Sequence, residues 1–326
     1  MGDPGSGSGG EQAGAKAVPF HGAHQAGIAT PQPEYLEFAT FDLTSEAPDD
    51  LRALLQEWTA AAVALTEGGQ HRPLGEGEPG GAPADPGEAI GLGPAQLTIT
   101  IGFGPSLFGE EGRQRFGLGS RPLALTPLPA FRGDGLEPDR SGGDLCVQAC
   151  ASDPQVAFHA VHVFARIASG VATLRWSQQG FGRTSSTSRA QPTLRNLMGF
   201  KDGTNNVRAE EEREMDEHVW VQQGEGPAWM EGGTYMVVRR IQMLFDVWDA
   251  TSLEGQERAV GREKVSGAPL GQEGEFDPVD LEARHGGEPV IPIDAHVRLA
   301  SPHLNDGQRI LRRGFSYTEP SQAGSG

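Results

Sequence analysis

Hydrophobic residues in the first half of the chain recur with strand spacing and helix spacing in turn. The strand pattern, which is alternation or a short apolar run, covers residues 35–43, 96–101, 145–151 and 171–178. The helical pattern covers residues 51–65 and 153–167, and Asp153-Pro154 is a helix-start signal for the second of them. The predicted order is strand–helix–strand, repeated twice, which is typical of a ferredoxin-like, split βαβ domain.

The second half begins with the same kind of pattern. Residues 234–243 predict a strand, residues 244–258 a helix and residues 309–317 a further strand. A second ferredoxin-like unit would still need a strand, a helix and a strand. We therefore expect an α+β fold of tandem ferredoxin-like domains with antiparallel sheets. The second unit is either built differently or, as we favour, truncated at the C-terminus.

These patterns divide the chain into three regions. Residues 1–16 are rich in Gly and Ser and predict a flexible tail, residues 17–185 form the N-terminal domain, and residues 186–326 form the C-terminal domain. If the chain ends at Gly326, a half-built second sheet has an unpaired edge and an uncovered apolar face. We then expect folding that is compromised or that depends on oligomer formation.

The composition argues against some classes of function. A net charge of −18 and a pI near 4.9 repel phosphate backbones, so nucleic acid is not an expected partner. The sequence has no apolar run of about 18 residues, so no membrane span is predicted. No export signal stands at its start, although a signal peptide removed ahead of the Gly/Ser-rich tail would leave no trace.

The sequence has two cysteines and a pair of helical histidines that we interpret as structural rather than reactive. Cys146 and Cys150 are four residues apart on a predicted strand, a separation of about 13 Å that excludes a disulfide, so both are predicted to be free, buried thiols. His159 and His162 flank the core face of the second predicted helix, and we interpret both as surface or boundary residues.

Three segments of the second half carry residue types suited to chemistry. MGFKDGTNN at 198–206 contains Asp202, DAHVRLASP at 294–302 contains His296, and RILRRGFSY at 309–317 contains Arg312 and Arg313. Each has a plainer interpretation when taken alone. Asp-Gly forms turns, a single histidine at the end of an element is commonly structural, and a strand arginine commonly lies at the surface.

Taken together, these segments resemble the dye-decolorizing peroxidase family. Gly199, Asp202 and Gly203 match its GxxDG signature. His296 has the H-[IV]-R-L context of the family's heme-ligating histidine, and Arg312 lies in an LRR[GS][YF] strand. FHGAHQAGIATPQP, LTITIGFGPSLFG and GGDLCVQACASDPQVAFHAV also match, so the resemblance extends from about residue 20 to residue 317. The bacterial, secreted branch related to deferrochelatase-like peroxidases is the most similar.

The resemblance implies one b-type heme, iron protoporphyrin IX, with His296 as the iron ligand. It implies that Asp202 is the acid–base residue above the iron, and that Arg312, or alternatively Arg313, lies over the same heme face. His303 stands where family members usually carry arginine. The residues implied to contact the heme are Gly203, Thr204, Asn205, His296, Ser301, Pro302, His303 and Arg312.

The chemistry of these residue types agrees with the resemblance. A neutral imidazole nitrogen is a suitable axial ligand for heme iron. Hydrogen peroxide must lose a proton from one oxygen and gain it on the other before the O–O bond breaks, and one carboxylate within hydrogen-bond reach can make both transfers. A permanently charged guanidinium stabilises the departing negative oxygen. Because a carboxylate stays ionised in acid, where a histidine base is protonated, activity is expected to extend to low pH.

The expected function is a peroxidase that uses hydrogen peroxide for one-electron oxidation of dyes and phenolic compounds, with small aromatic reductants as partners. Two alternatives remain open: a heme-handling protein that releases iron in the manner of a deferrochelatase, and a non-catalytic, truncated peroxidase-like fold. Secretion or a cell-envelope location after removal of an export signal is expected, with a cytoplasmic location as the alternative. Formation of a homo-oligomer is a further expectation.

Overall fold

The chain forms two compact units. A computed structural model describes residues 16–76, 80–110 and 113–319. The first unit comprises the chain up to Ile28 together with Pro33–Phe181, and the second comprises Ala29–Gln32 and the chain from Gly182 onwards. The predicted flexible tail, residues 1–16, lies outside the described residues except for Lys16.

The first unit contains one antiparallel sheet and two long helices. Its elements are β1 (Tyr35–Leu43), α1 (Pro48–Thr66), β2 (Thr98–Phe103), β3 (Gly109–Glu110), β4 (Arg113–Gln114), β5 (Leu145–Ala151), α2 (Pro154–Ala168) and β6 (Ala172–Arg183). Strands β2, β5, β1 and β6 are neighbours in that order, and each adjacent pair is antiparallel. This order is that of a split βαβ sheet, so the ferredoxin-like prediction is confirmed for the first half.

The core of this unit lies where α1 and α2 meet the sheet. Phe41 on β1, Trp58 on α1 and Phe164 on α2 are fully buried, and their ring centroids are 5.1–5.3 Å apart along the series. The indole N–H of Trp58 donates to the Phe164 carbonyl at 3.0 Å, which satisfies its one polar atom. The apolar periodicity of the first half of the sequence therefore corresponds to one packed core in this unit.

Helix α2 begins as its sequence predicts, but one of its histidines lies deeper than expected. The Asp153 side chain accepts hydrogen bonds from the first-turn N–H groups, as an N-cap does. His159 was interpreted as a surface or boundary residue and is instead buried, with Nδ1 2.8 Å from a Glu88 carboxylate oxygen. His162 is half-buried and contacts the other oxygen at 2.5 Å. The interpretation of His159 was wrong because helical periodicity cannot reveal a loop that covers the helix.

Cys146 and Cys150 form no disulfide within the described chain; Cys150 is buried as predicted, whereas Cys146 is only half-buried, and both thiols are expected to be unreactive in the folded protein. Burial raises the pKa of Cys146 to about 12, and Cys150 is fully buried. At pH 8 the thiolate fraction of Cys146 is then on the order of one in ten thousand. We expect Ellman's reagent at pH 8 to label neither thiol of the native protein within minutes and both after unfolding. Rapid labelling of one native thiol would contradict this expectation.

The second unit consists of short elements. They are α3 (Glu212–His218), α4 (Phe245–Ala250), α5 (Leu253–Val260), β7 (Arg284–His285), β8 (Glu288–Pro289), α6 (His296–Leu299) and β9 (Phe315–Ser316). Residues 234–243 form no strand, and of the strand predicted over residues 309–317 only β9 is present. The helix predicted over residues 244–258 is divided into α4 and α5. The strand predicted over residues 234–243 was therefore wrong, and the other two predictions were wrong in extent.

These differences have a physical cause. A strand needs a partner for its backbone hydrogen bonds, and in the described residues 182–319 no long strand lies beside residues 234–243. Val237 and Ile241 accordingly leave 61% and 69% of their surface in solvent. The helix is interrupted because the Ser252 side chain accepts from the Gly255 N–H at 3.1 Å and so starts α5 as a new helix. Within the described chain, every helix falls short of the length and apolar character needed to cross a membrane.

Candidate active site

Asp202 is presented by a tight loop whose glycines are required by its backbone. The backbone N–H of Asp202 donates to the Leu194 carbonyl at 2.9 Å. Gly199 and Gly203 have φ values of 85° and 82°, which side chains rarely adopt. A Cβ on Gly203 would also lie 3.0 Å from the Cα of Ser185. The glycines of the GxxDG signature therefore fix the place at which the carboxylate emerges.

The Asp202 carboxylate is held by two partners. Its Oδ1 lies 2.8 Å from Nη1 of Arg312, and its Oδ2 accepts a hydrogen bond from the Asn196 side-chain amide at 3.1 Å. The side chain of Asp202 is 17% exposed and that of Arg312 is 42% exposed. The pair is therefore ordered by protein contacts yet open to a small molecule from solvent. Asn196 carries no sequence signal for this role, because asparagine is common in turns.

The structure distinguishes the two arginines that the sequence left as alternatives. Arg312 turns toward Asp202, whereas Nη1 of Arg313 donates to the Thr30 carbonyl at 2.6 Å. Successive side chains of an extended segment point to opposite sides. Only one of two adjacent arginines can therefore meet the carboxylate, and it is Arg312.

His296 is the first residue of α6, and a glycine lets the neighbouring helix approach it. Gly261 ends α5 in the left-handed region, with φ of 88°. A Cβ at this position would lie 2.4 Å from Cγ2 of Val297 and 3.3 Å from the Cβ of Ala295. Any larger residue would push away the segment that carries His296.

His296 lies within the electrostatic influence of both members of the ion pair. The pKa of His296 is lowered, chiefly because the surrounding protein displaces water from the ring and next because of the Arg312 charge. The Asp202 charge opposes this effect, and Arg262 adds to it. Asp202, Arg262 and Arg312, from three segments distant in the sequence, therefore all influence His296. The imidazole is favoured in its neutral form, which is the form that binds a metal.

The donor set fits a heme rather than a bare metal ion. Among residues 16–76, 80–110 and 113–319, no three His, Cys, Asp or Glu side chains are arranged to hold a metal ion. A single neutral histidine is the protein ligand needed when a porphyrin supplies four nitrogens. No described residue accepts a hydrogen bond from the His296 ring, so the carboxylate that often orients such a ligand is not identified among these residues.

The stretch after Asp202 is braced by residues that the sequence did not single out. The Thr204 hydroxyl donates to a Glu275 carboxylate oxygen at 3.2 Å, and Glu275 also pairs with Lys201. Burial is the largest single influence on Glu275 and raises its pKa, but the hydrogen bonds from Lys201, Thr193 and Thr204 and the Lys201 charge together outweigh it, so the pKa is lowered. Asn205 is exposed, and its carbonyl accepts from Arg309 at 3.0 Å.

The second predicted heme-contacting stretch follows α6 directly. Ser301 is buried, and its carbonyl accepts from the Asn305 side chain at 2.8 Å. Pro302 starts a single 3-10 turn in which His303 is exposed. The described hydrogen bonds of this stretch are local, so Ser301, Pro302 and His303 stay predicted contacts.

The charges around His296 predict the direction in which its pKa changes when one of them is removed. In the heme-free protein we expect Arg312→Leu to raise the pKa of His296, because a repelling cation is removed, and Asp202→Asn to lower it, because an attracting anion is removed. NMR titration of histidine-labelled protein measures both shifts, and His296→Gln identifies the signal. Shifts of equal sign in the two variants would contradict the arrangement.

The same lowered pKa affects stability. Because the folded-state pKa of His296 lies below the unfolded value near 6.5, the unfolded chain binds the proton more readily as the pH falls through that range. The contribution of neutral His296 to stability is therefore present above that range and lost in acid.

The chain is similar to known proteins over most of its length. Its residues 25–182 match the model of the Dyp-type peroxidase N-terminal domain, and residues 193–326 match that of the C-terminal domain. It is 41% identical over 309 residues to a dye-decolorizing peroxidase of Thermobifida fusca, covering 91% of this chain and 68% of the relative. It is 38% identical over 307 residues to a deferrochelatase of Yersinia pestis, covering 92% of this chain and 69% of the relative.

Solved structures are similar over the same extent. An oxyferrous/water mixed complex of DtpA from Streptomyces lividans superposes with a TM-score of 0.84 at 42% sequence identity. The superposition covers 95% of this chain and 81% of that one. A fold of this kind, with a histidine whose pKa is influenced by both charges of a carboxylate–guanidinium pair, is that of a heme-dependent peroxidase.

The chain belongs to the Dyp-type peroxidase family, since both domains of the family model match and the identity to a curated member is 41%. It is an enzyme with a heme cofactor, and its substrates are hydrogen peroxide and a reductant. The resemblance described from the sequence is confirmed at the level of the family.

Proposed function

We propose that His296 binds the heme iron and that Asp202 and Arg312 act together on hydrogen peroxide. The observation that carries the proposal is the 2.8 Å ion pair between Asp202 and Arg312, whose two charges both act on His296. Ile293 and Leu299, close to His296 in the sequence, leave 74% and 61% of their surface in solvent. Apolar side chains exposed in this way suit contact with a porphyrin face.

The protein's own residues supply positioning, proton transfer and charge. When bound, the heme supplies the redox chemistry that splits peroxide. The Asp202 carboxylate takes the proton from one peroxide oxygen and returns it to the other. Arg312 stabilises negative charge on the departing oxygen. Asn196 keeps the carboxylate oriented through its Oδ2 atom while Oδ1 contacts the guanidinium.

The proposed heme contacts are shared between the two short stretches. Backbone N–H groups and small polar side chains at Gly203, Thr204 and Asn205 permit close approach of the macrocycle. Ser301, Pro302 and His303 are the proposed second contact. The exposed imidazole of His303 stands where an arginine is usual and offers a propionate a partner without the forked donors of a guanidinium.

The proposed reductants are small aromatic compounds, namely dyes and phenols, and cationic dyes in particular. A net charge of −18 attracts cations and repels anions at a distance. Raising the ionic strength should therefore slow the oxidation of a cationic dye and leave a neutral phenol unaffected, because salt screens long-range attraction.

A hemin titration followed by peroxide tests the proposal. We expect one hemin per chain, a Soret band typical of histidine ligation, and peroxide-dependent oxidation of a phenol and a dye. Absence of stoichiometric hemin binding would refute the heme site. Binding without any reaction with peroxide would instead favour a non-catalytic heme carrier.

A second candidate function is removal of iron from heme. Relatives that are 37–38% identical over about 92% of the chain carry the name deferrochelatase. The test is anaerobic incubation of the hemin-loaded protein with an iron chelator and a reductant. The appearance of fluorescent, metal-free protoporphyrin would support this function, and an unchanged Soret band would exclude it.

We also propose a secreted or cell-envelope location and self-association. Exposed apolar side chains between residues 236 and 253, such as Val237, Ile241 and Val247, support an association surface. Light scattering on the hemin-loaded protein tests self-association, with a monomer as the opposing result. Fractionation of the producing cells tests the location, for which a cytoplasmic enzyme is the alternative outcome.

A further inference from the structure

We infer that Asn206 is a positioning residue: it holds the backbone of Arg312 and thereby sets the guanidinium against Asp202. The inference rests on the proposed function, because it deepens the role given there to Arg312. Asn206 is 6% exposed and lies four residues after Asp202 on the same loop. It has no charge and no place in the GxxDG signature.

The Asn206 side chain pairs with Arg312 in the way that a facing strand residue would. Its Oδ1 accepts from the Arg312 backbone N–H at 2.8 Å, and its Nδ2 donates to the Arg312 carbonyl at 2.9 Å. The same Nδ2 also donates to the Ser186 carbonyl at 2.9 Å. All three contacts fix the orientation of the amide, because the oxygen and the nitrogen cannot exchange places without losing them.

Asn206 is needed because none of the strands in the described part of the chain pairs with the backbone at Arg312. Two residues later, Gly314 is held by the Thr184 N–H at 2.9 Å and by the Ser185 hydroxyl at 2.8 Å. At Arg312 itself, both backbone hydrogen bonds found among the described residues come from Asn206. These two hydrogen bonds are partly shielded from water, and without them the backbone at Arg312 is free to shift toward other partners.

The loop contacts Arg312 at two points, and the second point is the anchor. Asp202 meets the guanidinium, while Asn206, whose N–H closes a turn on the Gly203 carbonyl at 3.0 Å, holds the backbone. The Arg312 side chain is 42% exposed, and an ion pair so open to water contributes little by itself. The buried amide, rather than the ion pair, therefore keeps the two catalytic residues in register.

The test compares variants of Asn206 with a matched control elsewhere. Asn206→Asp keeps the shape and the acceptor but places an oxygen against two carbonyl oxygens. Asn206→Ala removes the two hydrogen bonds to the Arg312 backbone without that repulsion. It is the variant to use if Asn206→Asp does not fold. Gln148→Glu is the control, because the Gln148 amide is also buried and donates to the Gly27 carbonyl at 3.0 Å in the first unit.

We expect the hemin-loaded Asn206 variants to react with hydrogen peroxide about 10- to 100-fold more slowly, as misplacement of a catalytic group does. Gln148→Glu should react at the wild-type rate. In an Arg312→Leu background, Asn206→Ala should cause no further loss, because a residue that acts through Arg312 has nothing left to position. A merely structural role would give the same loss in both backgrounds.

A second readout is independent of heme and of activity. In the heme-free protein, the Nη1–H signal of Arg312, identified by its absence in Arg312→Leu, should be shifted from the free-arginine position by the contact with Asp202 in wild type and Gln148→Glu. It should collapse to the free-arginine position in the Asn206 variants.

The outcomes separate the inference from the proposed function. Wild-type rates in the Asn206 variants, or equal losses in both backgrounds, would overturn the inference even if Arg312→Leu is slow. If Arg312→Leu itself reacts normally, the proposed function fails. The NMR signal then decides alone whether Asn206 positions Arg312, with an unchanged signal overturning it.

Discussion

His296→Ala is expected to lose stoichiometric hemin binding and the Soret band of histidine ligation. The imidazole is the one protein ligand proposed for the iron, and the lowered pKa keeps it neutral. Loss of a residue that only supports a metal ligand typically costs about 10–100-fold in affinity. Loss of the ligand itself should exceed that, so hemin affinity should fall by at least about 100-fold. Hemin titration monitored in the Soret region measures the change.

His285→Ala is the matched control, since His285 is exposed on β7 and is not among the proposed heme contacts. It should keep the histidine-ligated spectrum and the wild-type affinity for hemin. Free imidazole added to His296→Ala should restore much of the spectrum, because the space left by the ring accepts it. An unaltered spectrum in His296→Ala without imidazole would show that another residue is the ligand.

The first unit could be predicted from the sequence because its patterns are local. Alternation in β1 and helical spacing in α1 and α2 each report one face packed on the same core, in which Trp58 and Phe164 meet. Asp153 and Pro154 announce the start of α2. The burial of His159 could not be predicted, since it depends on Glu88, which reaches α2 from a loop 71 residues away in sequence.

The second unit was predicted less well because its patterns depend on distant partners. Residues 234–243 alternate, but alternation produces a strand only where another strand supplies hydrogen bonds. The α4–α5 break depends on Ser252, whose capping role competes with its place inside a longer helix. The local sequence indicates whether such a segment favours a helix or a strand. Contacts with residues distant in the sequence decide whether the element forms and how long it is.

In the candidate site, too, some features follow from the local sequence and others depend on residues distant in the sequence. Asp202 and Arg312 are 110 residues apart, and nothing in local spacing joins them. The family motifs brought them together, and the structure then selected Arg312 over Arg313. Asn196 and Asn206 escaped notice because asparagine in a Gly-rich loop ordinarily indicates a turn. Their importance comes from the atoms they contact, which a sequence does not display.

Asp202→Asn and Arg312→Leu are both expected to slow the reaction of the hemin-loaded protein with hydrogen peroxide. Asparagine keeps the shape of Asp202 and its contact region but cannot take a proton. Removal of a general base typically costs about 10²–10⁴-fold. Removal of one charge-stabilising donor typically costs about 10²–10³-fold. Because the two groups contact each other at 2.8 Å, the double variant should lose less than the product of the single losses.

The single variants distinguish the role of the carboxylate from that of the arginine. Asp202→Asn should be slow at every peroxide concentration, because the amide cannot take the proton. Stopped-flow absorbance in the Soret region, at several peroxide concentrations, gives the second-order rate constants. If Arg312→Leu alone is slow and Asp202→Asn reacts like wild type, the arginine is the main catalytic residue and Asp202 is a gate or a structural turn residue.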